Sequence, residues 1–525
     1  MKMPPSIFND VIGPVMRGPS SSHVAGAARI ASLVRQSVKG KIQSVDVCFD
    51  VNGSLAESYN GHGTDIGFAS GILGIELTDP RMPHALQIAK ENGVQITFSV
   101  SDYGATHPNY YRINAVSDSD VSTRWDAISV GGGMIELQSY NGFHLKINGD
   151  FYELLIVIDA DKKAVDGLLD KIKNLTGLPE FCTINGNSCQ TLIQLKLATP
   201  VRQEILNQLH DMENVEEVTY LTPILPTTSR ANCRVPYVNA TSLLASDYAK
   251  EKQMWKCAAL YESIRGSSSI EYVIRQMDHL VNLMEQAVDE GLSGTEYHDR
   301  ILGPQSYLIG QATSENKLIP GNVINRVIAS VTAIMEVKSS MGVIIAAPTA
   351  GSCGCLPGTL IGTAREMGFS REKIVEAMLA AGLIGVFIAE SATFSAEVAG
   401  CQVECGAGSG MAAAGLVQMF GGSVEQCVDA ASLALQNITG LACDPVANRV
   451  EVPCLGKNVM GAMNAIASAN MILAGYDKVI PLDETIAAIY DIGLKMPQEL
   501  KCTLGGLGKT PASANIRKKL IETIK

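Results

Sequence analysis

The sequence has no block of clustered lysine and arginine, no internal repeat, no apolar run long enough for a bilayer and little charge of either sign. Each absence excludes something. Without a basic cluster, and at a formal net charge of -12, nucleic acid is not an expected partner, because polyanion binding runs on grouped cations. Charged residues make up only 18% and apolar residues 46%, with 49 glycines, which argues for a folded, heavily buried chain rather than a disordered one. The longest uninterrupted apolar run, Ala377 to Ala389, holds 13 residues counting its glycines, whereas a bilayer takes about 20. It predicts a buried core helix, and no membrane partner is expected. The opening MKMPPSIFNDVIG lacks the basic segment, apolar run and small-residue cleavage site of a secretory signal, so a cytoplasmic location is expected.

What is present points to several domains, since 525 residues exceed what one hydrophobic core usually serves. Residues 1 to about 148 mix short β-rich runs, such as Ile42 to Val51 and Val94 to Val100, with Gly-rich loops, the pattern of an α+β domain. From about 149 to 225 the order is strand (YELLIVID), helix (KKAVDGLLDKIKNL), strand (EFCTI), strand (TLIQLKLA), helix (PVRQEILNQLHDM) and strand (VEEVTYLTPI). That is the ferredoxin-like βαββαβ order. Residues 226–245, rich in Pro, Thr, Ser and Asn, read as a linker. From 246 to 525 Ala, Leu, Met and Gly dominate, helical periods recur and strands are scarce, so a mostly α-helical domain is expected. Small residues in MAAAGL and GAMNAIASANMILAG let its helices approach closely.

Thirteen cysteines in a reducing compartment are poor disulfide formers, which leaves buried thiols and metal ligands as the two readings. Cys401 in AGCQVECGAGSGMAAAG, Cys443 in GLACDPVANRV and Cys454 in EVPCLGKN stand between helical segments among Gly, Pro and Asp. Such settings permit a backbone to turn toward a cluster and donate amides to it, though the spacing alone also suits core thiols. GPSSSH at 18–23 offers Ser20, Ser21, Ser22 and His23 in a turn suited to a carboxylate, or equally a helix N-cap cluster. His62, between two glycines, can reach into a site as a base, or sit structurally in its turn. His107, before Pro108, has an extended backbone and by itself reads as a turn residue.

The wording GCQ-x-E, GL-x-CDP-V and V-x-VPC-x-x-x-N, with APTAGSCG at 347–354, resembles the α domain of the iron-sulfur-dependent bacterial L-serine dehydratases. GPSSSH, NGSLAESYNGHGTD at 52–65 and HPN at 107–109 resemble that family's β domain, so the likeness covers both ends of the chain. It implies a 4Fe-4S cluster ligated by Cys401, Cys443 and Cys454, with one iron open to act as a Lewis acid. It further implies β-elimination of water from L-serine to give pyruvate and ammonia, with His62 as base and Ser20 to Ser22, His23, His107 and Asn109 around the substrate. The middle module resembles ACT-type regulatory domains, which implies a small effector, and a homodimer or higher homo-oligomer is expected. Cys353, Cys355 and Cys405 rank as core or near-cluster residues rather than ligands. The family's cysteine at or near the chain end has no counterpart in NIRKKLIETIK, where the last cysteine is Cys502, although GGLGKTPAS at 505–513 resembles the family's tail. ANRV at 447–450 and CLGKN also depart from the family wording. Two alternatives remain at this point: the same chemistry on threonine or another β-substituted amino acid or hydroxy acid, and a non-catalytic amino-acid sensor built on the ACT-like module. No pyridoxal-type lysine setting is found.

Overall fold

The computed structural model describes residues 3–159, 165–186, 190–251 and 253–524. Its first unit is a six-stranded sheet in the spatial order Gln95–Ser101, Ile42–Asp50, Tyr110–Ser117, Ser122–Gly131, Met134–Tyr140, Phe143–Ile147. Ile42–Asp50 runs parallel to Gln95–Ser101 and antiparallel to Tyr110–Ser117. Alternate residues Val45, Val47 and Phe49 point into the core, as the two-residue period of a strand requires when one face is covered. Helices Gly26–Ser37 and Thr64–Leu73 pack closely together over this core. They need a small residue at their contact: a Cβ on Gly71 would lie 2.3 Å from the carbonyl oxygen of Ala28. The indole of Trp125 donates to Ser37 Oγ at 2.9 Å and thereby stays satisfied while buried.

The second unit is a four-stranded antiparallel sheet in the order Val215–Leu221, Tyr152–Ile158, Thr191–Leu197, Phe181–Gly186. With helices Val165–Thr176 and Gln203–His210 it has the expected ferredoxin-like βαββαβ order. The start of the first helix expected here, at residues 162–164, lies outside the described residues. Strand periodicity divides the sheet's two faces between two cores. Leu154, Ile156 and Ile158 face the unit's own helices with Val165, Ile172 and Leu209. Leu155, Val157, Leu192 and Leu221 join the core of the six-stranded unit. The module is thus fused to its neighbour by buried apolar surface.

The third unit is helical. Helix Arg371–Ser391 is long and apolar enough to cross a membrane by length and composition, yet every residue from Ala377 to Ile388 is buried among protein. Around it pack Cys405–Met419, Met254–Gly266 and Ile270–Ser293, and Asn322–Ser339, Cys355–Met367 and Cys454–Leu473 pack on one another, the last two also on Cys405–Met419. Two features depart from a simple division of the chain. The N-terminal segment belongs physically to the helical core: Ile7, Phe8, Val11, Ile12 and Met16 are buried there, and Val15–Arg17 pairs antiparallel with the strand Val343–Ile345. Apolar residues at 7, 8, 11 and 12 form a one-turn stripe that a sheet edge cannot bury. The stretch expected as linker ends in a helix, Ala240–Ala245, whose Asn239 cap accepts the Ser242 N–H at 2.8 Å.

Candidate active site

The first unit's loops meet the helical unit at a buried seam. The GPSSSH turn leads into helix Gly26–Ser37, and its hydroxyls are already engaged. Ser20 Oγ and Ser22 Oγ lie 3.0 and 3.1 Å from His23 Nδ1, Ser22 Oγ donates to Glu397 Oε1 at 3.0 Å, and Ser21 Oγ accepts the Ala350 N–H at 3.1 Å. His23 Nε2 lies 2.8 Å from Ser58 Oγ. His23 is therefore held on both ring nitrogens, and burial lowers its pKa to about 3.

His62 differs. It too is fully buried, but both of its ring nitrogens lack a hydrogen-bond partner, as do both amide atoms of Asn109. Unpaired buried polar atoms are costly, and a molecule bound at the seam would complete those of His62 and Asn109. Burial first, then the neighbouring His23, holds the His62 pKa well below the ordinary histidine value, with Glu397 opposing. His107 sits at the rim, its Nδ1 accepting the Asn109 N–H at 3.1 Å, in a cleft of about 360 Å³ also lined by Asn52, Glu397, Gln498 and Lys501.

Across the seam the cysteines converge. Cys401 opens a short helical turn, Cys405 begins helix Cys405–Met419, Cys454 begins helix Cys454–Leu473, and Cys443 lies in the extended segment between. Ligand atoms of Cys401, Glu404 and Cys443 all lie within 4.8 Å of one another and could hold a metal ion. Cys405 Sγ is 4.0 Å from Cys401 Sγ. Thiols of Cys405 and Cys443, followed by the charge of Lys457, hold Cys401 well below the usual thiol range. Burial and the Cys401 charge push Cys454 up to about 12. Burial and then Cys401 push the Glu404 carboxyl well above the carboxylate range, where it accepts the Thr349 hydroxyl at 2.8 Å. Asn458 knits the walls: its amide donates to the carbonyls of Gly351 and Cys454, both at 2.8 Å, and its oxygen accepts the Cys355 N–H at 2.8 Å.

All ten residues expected at the site lie along this seam. Cys353 is turned away, with its sulfur 3.9 Å from Met335 Sδ. Three participants were not expected at the site: Glu397, which receives Ser22 and Ser395; Ser58, present only as part of the 52–65 string; and Cys502. The last packs with Cys401, Cys405 and Cys443, its N–H donating to the Cys443 carbonyl at 2.9 Å. Glu404 is visible in the GCQ-x-E wording, but only as part of the string.

Residues 198–507 match the family model described as serine dehydratase alpha chain, and residues 11–92 that of the serine dehydratase beta chain. The chain belongs to the serine dehydratase family. It carries in one polypeptide what Bacillus subtilis (strain 168) has as two. The probable L-serine dehydratase alpha chain there is 41% identical over 251 residues, 48% of this chain and 84% of that one. Its beta chain is 36% identical over 218 residues, 41% of this chain and 96% of that one. L-serine dehydratase 1 of Escherichia coli (strain K12) is 26% identical over 499 residues, 93% of this chain and 95% of that one. The family member described here is an enzyme, a carbon-oxygen lyase by its relatives' names, and the reading as a non-catalytic sensor is set aside.

Proposed function

We propose that this enzyme dehydrates and deaminates L-serine to pyruvate and ammonia, using a 4Fe-4S cluster held by Cys401, Cys443 and Cys454. The observation that carries the reading is the juxtaposition of a buried, unpartnered histidine on one side of the seam with converging buried thiols on the other. The donor set fits the cluster. The thiols are soft ligands in a pocket shielded from water, and Cys401 is already driven toward the thiolate that iron requires.

A bound cluster with three protein ligands supplies a Lewis-acidic iron for the departing hydroxyl. The chain's own residues do the rest. His62, neutral because burial disfavours its charged form, accepts the proton from the substrate Cα. His23, clamped by Ser20, Ser22 and Ser58, packs against His62 and orients it. Asn109 and His107 border the substrate. Removal of the Cα proton and loss of the β-hydroxyl as water yield aminoacrylate, which tautomerises to the imine and takes up water to give pyruvate and ammonia. The ferredoxin-like module serves, in this reading, as an ACT-type effector domain. Anaerobically purified protein tests the proposal. It should be brown, absorb broadly toward the blue and release pyruvate from L-serine; a colourless, iron-free protein that makes pyruvate would overturn the cluster.

A further inference from the structure

A fully buried lysine without an acidic partner stands at the seam. Lys338, in the last turn of helix Asn322–Ser339, is 0% exposed. Its Nζ donates to the Val450 carbonyl, and among the described residues it makes no ion pair, so two of its three N–H groups have no protein partner. A buried ammonium is expensive unless a counter-charge and hydrogen bonds offset its desolvation. The other cations nearby have theirs. Lys457 pairs with Asp444 at 2.7 Å and Arg449 with Asp299 at 2.5 Å. The acid within reach of Lys338, Glu451, spends its oxygens on the N–H groups of Ile301 and Leu302 at 3.0 and 3.1 Å.

The surroundings of Lys338 are those of the site itself. The backbone of Lys338 is pressed against the start of the GPSSSH turn, where a Cβ on Gly18 would lie 1.9 Å from the Lys338 carbonyl oxygen. Its charge acts on both His62 and Cys454. Val450, whose carbonyl it meets, lies four residues before Cys454 and next to Arg449, which donates to the Gly61 carbonyl beside His62 at 3.0 Å, so Lys338 stands under the turn that joins the imidazole to the cysteine pocket. The serine hydroxyls of the turn, meanwhile, are committed to His23, Glu397 and Ala350.

We propose that the Lys338 ammonium receives the α-carboxylate of the amino-acid substrate. This rests on the reading that the site takes an amino acid, and it assigns the carboxylate to a cation that the GPSSSH turn covers rather than to the turn's hydroxyls. A carboxylate seated there gives Lys338 its missing counter-ion and cancels a positive charge beside the base. It also leaves the Cα and Cβ of the substrate to span the gap between His62 and the thiol pocket.

Lys338→Met and Lys338→Gln, each in the whole chain purified anaerobically, test the assignment against wild type. The expected result is unchanged brown absorbance and iron content, a KM for L-serine raised about 10- to 100-fold, the range for a lost charge-assisted hydrogen bond, and a kcat that falls much less. Lys338→Arg should recover part of the KM. A binding readout free of turnover uses L-alanine, which keeps the carboxylate and ammonium, against alaninamide, which lacks the carboxylate. L-alanine should raise the melting temperature of wild type but not of Lys338→Met, and alaninamide should raise neither. An unchanged KM overturns the assignment. So does loss of iron with an unchanged KM in the remaining active fraction, which would make Lys338 a prop for the Val450 turn before Cys454. The same holds if Lys501→Met, which alters the buried lysine at the cleft, raises KM while Lys338→Met does not. If wild type is colourless or makes no pyruvate from L-serine, the proposed function fails, whereas an L-alanine shift lost in Lys338→Met still supports the carboxylate site.

Discussion

The imidazoles of His23 and His62 meet edge to face with ring centroids 4.5 Å apart and planes 71° from each other. One ring is held by hydroxyls on both nitrogens and the other by none. In the proposed mechanism this asymmetry divides the work: His23 positions, and His62 takes the proton.

His62→Asn should lower kcat by about 100- to 10,000-fold, the usual contribution of a positioned base, with iron content and absorbance at the wild-type level. Loss of colour together with activity would make His62 a structural residue of the seam.

The cluster assignment predicts that Cys401→Ser, Cys443→Ser and Cys454→Ser each abolish brown colour and activity, whereas Cys353→Ser and Cys355→Ser keep both. Iron and sulfide analysis per chain checks it. Retention of full iron content in Cys401→Ser, with its loss in Cys353→Ser, would reverse the ligand set.

Buried neutral histidines make stability depend on pH in a fixed direction. His23 binds its proton only near pH 3 in the folded chain but near 6.5 when unfolded, so below about pH 6.5 the unfolded state binds more protons. Its contribution is intact above that value and erodes as pH falls, by about 1.4 kcal/mol per unit once the unfolded histidine is charged. Glu404, whose carboxyl is raised in the folded chain, acts in the opposite sense, so a variant comparison is needed to isolate the histidine. Urea midpoints of metal-free wild type and His23→Gln should run in parallel above pH 7 and converge from pH 6 to 5. Parallel curves throughout would show that His23 is not buried in its neutral form.

Asn458→Leu removes a side chain that joins two carbonyls and two N–H groups of the site's walls. Stranding these buried groups should cost about 2–4 kcal/mol, read as a lower urea midpoint, and should loosen iron retention. An unchanged midpoint with unchanged iron would show that the walls do not depend on it.

Excision of residues 149–225 uncovers the face on which Leu155, Val157, Leu192 and Leu221 pack. The shortened chain should therefore melt lower than the full chain and tend to aggregate. A colour and melting temperature equal to wild type would show the module to be a detachable spacer.

The helical nature of the C-terminal half, the βαββαβ order and the motif strings were legible because each is local. Periodicity and turn chemistry act over a few residues, and the Gly- and Pro-flanked cysteines announce turns. The N-terminal segment was not legible as part of the helical core. Nothing local distinguishes the stripe of Ile7, Phe8, Val11 and Ile12 from the opening of the domain that follows; the surfaces that bury it, on helices Arg371–Ser391 and Met254–Gly266, lie hundreds of residues away in the chain. The place of Cys502 was not legible for the same reason. Counted from the chain end it is no tail cysteine, but the bridge between Cys443 and Lys501, with the Cys502 N–H donating to the Cys443 carbonyl, brings it to the pocket.

The sequence by itself determined the residue types available for chemistry and the family to which they belong: thiols in flexible turns, an imidazole between glycines, a string of hydroxyls. Tertiary structure alone decided which of these remain free. Desolvation and hydrogen bonding depend on every neighbour at once, so the same burial that binds the GPSSSH hydroxyls to His23, Glu397 and Ala350 leaves the ring nitrogens of His62 and the amide atoms of Asn109 without a partner.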